Sequence, residues 1–197
     1  MSGTAVVARP RVLADLVSSS WLVDVILIVV GAGLTGLAAQ ITVPVPGTPV
    51  PVTMQTFAVL LVGASLGAWR GAASLTLYAV AGSLGVPWFA NGASGFGGAT
   101  FGYILGFIVA AALTGWLAER GDARTPVATL GTMVLGNIVI YFVGVPWLMA
   151  YLGVPFGTAL KFGFTPFFAG DILKLLLAAL VLPGAWWLVD RTRGKQN

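Results

Sequence analysis

Phe167-Phe-Ala-Gly-Asp-Ile-Leu-Lys-Leu-Leu-Leu-Ala-Ala-Leu-Val-Leu-Pro-Gly-Ala-Trp-Trp-Leu188 is a helix-length apolar run interrupted by only two charges, Asp171 and Lys174. A bilayer core about 30 Å thick takes about 20 such residues in an α-helix. Each charge inside a span costs about 2.5–3.5 kcal/mol at mid-bilayer on insertion scales. At i and i+3 the two side chains project from one helix face. That face must look into a bundle interior or an aqueous cavity, because a lipid-facing pair would be very unfavourable. One run thus predicts a membrane fold and, within it, a polar site.

The whole chain is of the same kind. Its 197 residues are 58% apolar and 8% charged, with a mean hydropathy of +0.97; a typical soluble domain carries about 25% charged residues. Such a chain cannot build the charged shell of a cytosolic enzyme, and it is too apolar to be disordered. A net charge of +4 spread over this chain is also not the basic patch of a nucleic-acid-binding domain. There is no Cys and no His, which removes thiolate chemistry, disulfides and the commonest transition-metal ligand. No metal site and no cofactor is expected, and no catalytic residue is assigned. No GxxxxGK[ST] motif occurs, so the chain has no P-loop for ATP.

Hydropathy predicts an all-α integral membrane bundle of six transmembrane helices. The spans are Leu22–Ile41, Gln55–Trp69, Ala72–Val86, Thr100–Leu117, Val127–Leu152 and Phe167–Leu188. Arg9, Arg11, Arg70, Arg120, Arg124, Arg191, Arg193 and Lys195, eight of the ten basic residues, then fall on the terminal side. The positive-inside rule makes both termini cytoplasmic in a multi-pass plasma-membrane protein. Residues 1–20 read as a cytoplasmic lead-in rather than a signal peptide, residues 21–190 as one transmembrane domain, and residues 191–197 as a basic tail. Trp21, Trp69, Trp116, Trp186 and Trp187 fall at cytoplasmic span ends and read as an aromatic belt.

Small residues recur every fourth position in Gly63/Gly67/Gly71 and in Gly98/Gly102/Gly106/Ala110/Thr114, the spacing that lets membrane helices approach closely. These two rows read as internal contacts. In the first span Gly31, Thr35 and Ala39 beside Ala32 and Gly36 fit either an internal contact or a partner helix. Gly31, Gly33 and Gly36 also spell GxGxxG, but inside one continuous apolar span, which is the wrong context for a dinucleotide site.

Two outer loops carry further signals. Thr42–Thr53 contains Pro44, Pro46, Pro49 and Pro51, which forbid helix and favour a stiff extended strap; it reads as a lid, with Thr53 at its end. Pro87–Ala99 mixes Trp88, Phe89 and Phe96 with Asn91, Ser94 and four glycines, a composition suited to a small flat molecule with polar edges. Asn137, Tyr103, Tyr141 and Gln55 are polar groups in or beside spans that can converge on Asp171 and Lys174. An ammonium offers three donors and a carboxylate accepts from N–H groups, so the pair suits a polar anchor for a ligand.

Several fragments together resemble the BioY family, the biotin-binding S components of energy-coupling factor (ECF) transporters. They are Pro49-Val-Pro-Val-Thr-Met-Gln-Thr56 with Leu60-Leu-Val-Gly63, Tyr78 through Pro87-Trp-Phe89, Phe101-Gly-Tyr103, Gly136-Asn137 with Tyr141, and Gly170-Asp171-Ile-Leu-Lys174. The resemblance covers about residues 30–180. It implies six helices, an outward-opening pocket capped by the first loop, and biotin as substrate. It also implies a transmembrane scaffold subunit and two cytoplasmic ATPases, with docking through Ala32 and Gly36. On that reading Lys174, with Asp171, meets the valerate carboxylate. Asn91 and Asn137 are candidates for the ureido ring, and Trp88, Phe89 and Trp147 for the thiophane face. Gly98-Ala99-Thr100 departs from the family's Gly-Pro-Thr. An S component for another vitamin, an autonomous facilitator, and an intramembrane enzyme with Asp171 as base remain alternatives.

Overall fold

Residues 11–17 and 20–193 are described by the computed structural model. Among them are helices α1 (Trp21–Ala39), α2 (Gln55–Leu66), α3 (Ala68–Ser83), α4 (Phe101–Glu119), α5 (Pro126–Leu152), α6 (Phe156–Gly163) and α7 (Phe168–Arg193). Helices α1, α4, α5 and the α6–α7 run are long and apolar enough to cross a membrane. Helices α2 and α3, with 12 and 16 residues, are shorter.

Local chemistry sets the boundaries. Ser20 caps α1 by accepting from Val23 N at 3.3 Å. Thr125 caps α5, Pro126 occupies its first turn, and Gly153 ends it in the left-handed conformation at φ 64°. Gly67, at φ 89° and ψ 173°, turns the chain from α2 directly into α3, a backbone state that L side chains rarely adopt. The first free N–H of α3, Ala68 N, donates to Glu119 Oε1 at 2.8 Å. The joint expected at Trp69–Gly71 is therefore two residues earlier, and those residues are helical.

Glycine contacts hold the helices together. A Cβ on Gly63 would lie 2.8 Å from Ala111 Cα, and one on Gly106 3.1 Å from Ile140 Cα. These two rows bring α2 and α5 against α4. Gly98 is the exception in its row, with open space around it. The first-span stripe is also internal: Ala32 and Thr35 are wholly buried, Gly31 faces Ser74 on α3, and Gly36 lies under the Trp88 ring, 3.2 Å from where its Cβ would be. The docking face expected at Ala32 and Gly36 is thus already covered by the chain's own loop and helix. The exposed side of α1 carries Leu22, Val25, Ile26, Val29 and Leu37 instead.

Two further expectations need correction. The first outer loop is a hairpin, not a plain strap: β1 (Thr42–Val43) pairs antiparallel with β2 (Val52–Thr53), Thr42 opposite Thr53. All four prolines fall between the paired residues, so none removes a ladder donor, and Gly47 at φ 84° supplies the turn near Pro46. The connection between the last two expected spans, Val127–Leu152 and Phe167–Leu188, contains α6. The lead-in's described part, residues 11–17, packs into the bundle, with Val12 and Ala14 buried in the main core. Arg9 and Lys195 lie outside the described residues. At this end Arg70 bonds Asp24 at 2.7 Å and Asp15 at 3.4 Å, and Arg124 stacks over Trp186. Trp186 is buried beneath it; the other four belt tryptophans are exposed.

Gly63→Val should destabilise the bundle by about 1–3 kcal/mol, the range for overfilled interiors, and lower the thermal unfolding midpoint in detergent. Gly33→Ala, where a Cβ meets nothing within 4 Å, should leave the midpoint unchanged or raise it.

Candidate functional site

The α2 N-terminus, the middle of α5 and the first turns of α7 meet around Asp171 and Lys174. Both are buried, with side-chain exposures of 6% and 9%. Lys174 Nζ donates to Asp171 Oδ1 and to Thr56 Oγ1, each at 3.0 Å. Asp171 Oδ2 accepts from Asn137 Nδ2 at 3.1 Å and from the Tyr141 hydroxyl. The carboxylate is thus bonded on both oxygens by the protein itself. The ammonium uses two of its three donors on side chains. Asn137 Oδ1 is buried with no hydrogen-bond partner among the described residues.

Above the pair lies a narrow hollow, about 550 Å³ of empty space when the open solvent at its mouth is included and about 50 Å³ of enclosed room for a water-sized guest. Its polar lining is Thr53, Gln55, Thr56, Thr100, Tyr103, Tyr141, Asp171 and Lys174; Val50, Pro51, Phe89, Ala90, Ile104, Phe107 and Phe167 supply the apolar walls. Gln55 is fixed at both ends, accepting from Thr53 Oγ1 at 3.0 Å and donating to Tyr78 Oη at 2.8 Å. Tyr103 Oη donates to Gly163 O at 2.8 Å, which ties α4 to α6. Over the cavity the hairpin closes back on α6 through Thr48 Oγ1 and Phe162 O, 2.8 Å apart.

The singled-out residues divide as follows. Lys174, Asp171, Tyr103, Tyr141, Gln55 and Phe89 line the cavity, as do Pro51 and Thr53 of the hairpin; Pro46 and Pro49 do not. Asn137 lies behind the ion pair rather than in the cavity, holding Asp171. Asn91 is exposed in the left-handed region at φ 61°, a conformation Asn tolerates, and accepts from Thr42 Oγ1 at 2.7 Å. Trp88 packs on Gly36 and donates from Nε1 to Tyr78 O at 3.0 Å. Trp147 donates from Nε1 to Gly98 O at 3.0 Å, so the turn that lacks the family's proline is tied to α5 instead. Neither tryptophan lines the cavity.

The BioY family model matches residues 11–191. The chain belongs to the BioY family. It is 37% identical to the biotin transporter BioY of Thermotoga maritima, over 79% of this chain and 86% of that one. Identity to the biotin transporter BioY of Rhodobacter capsulatus is 35%, over 75% of this chain and 88% of that one. The fold is similar to the crystal structure of the S-component for biotin from an ECF-type ABC transporter, with a TM-score of 0.76, 21% identity, and coverage of 85% and 94% of the two chains. With its apolar helices, this BioY-family chain is a multi-pass membrane protein.

Sequence reasoning passed over Thr56, which bridges both charges: its Oγ1 lies 3.5 Å from Asp171 Oδ1 and 3.0 Å from Lys174 Nζ. Its signal was position, next to Gln55 in the first turn of α2. Ile104, Phe107 and Phe167 were missed because apolar residues look alike in sequence whichever side they face, and Thr100 because a lone hydroxyl just before α4 reads as an ordinary helix start.

Removing one charge should hurt unequally. Asp171→Leu strands a buried ammonium and should cost about 3–5 kcal/mol, read as a lower unfolding midpoint in detergent. Lys174→Met leaves Asp171 with Asn137, Tyr141 and Thr56 and should cost less, and Asp171→Leu with Lys174→Met should regain most of the loss.

Proposed function

We propose that this chain is the substrate-binding membrane subunit of a biotin uptake system. It takes biotin from outside and passes it on with an ATP-driven ECF complex of scaffold subunit and cytoplasmic ATPases. The observation that carries the reading is the Lys174–Asp171 pair at the floor of a cavity in an otherwise apolar bundle, found in a chain of the BioY family. The absence of a P-loop in this chain fits an engine supplied by other subunits.

Asp171 is spent on protein donors, so it orients Lys174 rather than meeting the ligand. The remaining Lys174 donor takes the ligand's acceptor, and the valerate carboxylate is the acceptor that a cation favours. Gln55, Thr53 and Thr100 offer the donors and acceptors that a ureido ring needs. Phe89, Phe107 and Phe167 supply apolar surface for the thiophane. The hairpin β1–β2 is the cover.

On this reading α2 and α3 each cross despite their length, six spans keep both termini on one side, and the basic residues gathered there make that side cytoplasmic. In support, Arg70 with Asp15 and Asp24, Glu119 with Ala68, and Arg124 with Trp186 gather six helix ends or turns at one end of the bundle. Lys174 lies toward the other.

Labelled biotin should bind the purified chain and be displaced by unlabelled biotin but not by other vitamins. Lys174→Met should reduce affinity about ten- to a hundredfold, the size of a lost charge-assisted bond, while the protein still elutes as a folded monodisperse species. Biotin amide should bind much more weakly than biotin to the parent chain. Unchanged affinity in Lys174→Met would remove the lysine from the site, and displacement by a different vitamin would reassign the substrate.

A further inference from the structure

Gln40 lies one residue past α1, outside the cavity lining, yet its amide carries four contacts. Nε2 donates to Gly36 O at 3.0 Å, Trp88 O at 3.1 Å and Phe89 O at 3.2 Å. Oε1 accepts from Gly92 N at 3.1 Å. An amide NH2 has two hydrogens, so the three carbonyls share them. One side chain thus satisfies a C-terminal carbonyl of its own helix and grips both ends of the Phe89–Gly92 turn. Two residues on, Thr42 Oγ1 meets Asn91 Oδ1 within the same turn.

The neighbours of that turn are anchored by side chains. Trp88 is held by Tyr78 and Gly36, and the Phe89 ring fills the notch at Gly82. Ala90 lines the cavity but has only a methyl group, so its position depends on backbone bonds: the turn's own Phe89 N to Ala93 O, Gly92 N to Phe89 O and Ala93 N to Ala90 O, which hold its shape, and bonds at Phe89 and Gly92 that tie it to the rest of the bundle. Gln40 makes a bond at each. Beyond Gly92 the loop runs through Gly95 and Gly97 at positive φ and has little stiffness of its own.

We propose that Gln40 is a positioning residue for the outer wall of the cavity. It clamps the Phe89–Gly92 turn to the end of α1 and so fixes where Phe89 and Ala90 face a bound guest. The consequence for ligand rests on the biotin reading above; the clamp itself does not.

The chain has no cysteine, so a single introduced thiol reports cleanly. Ala90→Cys places it in the wall, and Lys161→Cys, exposed on α6, is the control. In the ligand-free protein in detergent, Gln40→Leu should raise the maleimide labelling rate of Ala90→Cys about tenfold, the factor expected when bonds worth about 1.4 kcal/mol no longer oppose local opening. The control should label at an unchanged rate, and the unfolding midpoint should stay close to that of the parent. In the chain without added thiols, Gln40→Leu should speed release of labelled biotin by a similar factor with little change in its association rate.

Equal labelling of Ala90→Cys with and without Gln40→Leu would overturn the clamp, as would equal acceleration at both thiols. Faster labelling with unchanged biotin release would overturn the role in holding ligand. Failure of the unsubstituted chain to bind biotin would sink the substrate assignment instead, and the labelling pair would still decide the clamp.

Discussion

Opposite charges three residues apart on α7 meet at 3.0 Å inside a bundle of apolar helices, and the surrounding fold is arranged to make that tolerable. Desolvating two ions is repaid only when their remaining hydrogen-bonding capacity is met. Here Thr56 comes from α2, Asn137 and Tyr141 from α5, and the two charges from α7. Three helices must therefore converge at one depth for any of them to bury its polar residue. The same convergence leaves the ammonium facing a cavity with one donor not taken by a side chain, so the requirement for stability and the capacity to bind arise from one arrangement.

Convergence at that depth needs close backbones, and glycine provides them. Gly63 and Gly71 seat α2 and α3 on Ala111 of α4, Gly106 seats α5 on α4, and Gly31 and Gly36 seat α1 on Ser74 and Trp88. In a membrane there is little hydrophobic gain in helix association, so contact distance carries the energy. A helix pushed outward by one methyl group at Gly63 would carry Gln55 and Thr56 with it, since all three are on α2.

Much of this was legible in the sequence, and the limits have physical causes. The inward face of α7 followed from Asp171 and Lys174 alone, because two charges three residues apart in lipid have nowhere else to point. The glycine rows of α2 and α4 were readable because spacing of four is a property of one helix. The stripe at Ala32 and Gly36 was ambiguous, since small residues accept a partner helix and the chain's own Trp88 equally well. Pro44 to Pro51 excluded helix but not the hairpin, because pairing of Thr42 with Thr53 depends on where the two ends meet. Asn91 and Trp147 looked like ligand contacts because amides and indoles are also good loop ties, which is how the structure uses them. The short helix α6 between the last two expected spans has no long apolar period to announce it.

The cover over the cavity is held by the Thr48 hydrogen bond to the Phe162 carbonyl and by Val50, whose side chain is buried in the main core. A single neutral bond of this kind is worth about 0.5–1.5 kcal/mol net, only a few times thermal energy. Swinging the hairpin open would also bring the Val50 side chain out of the core, at about 1.5–3 kcal/mol for a fully buried residue of that kind, so the cover is a two-part latch whose bond and buried valine must release together.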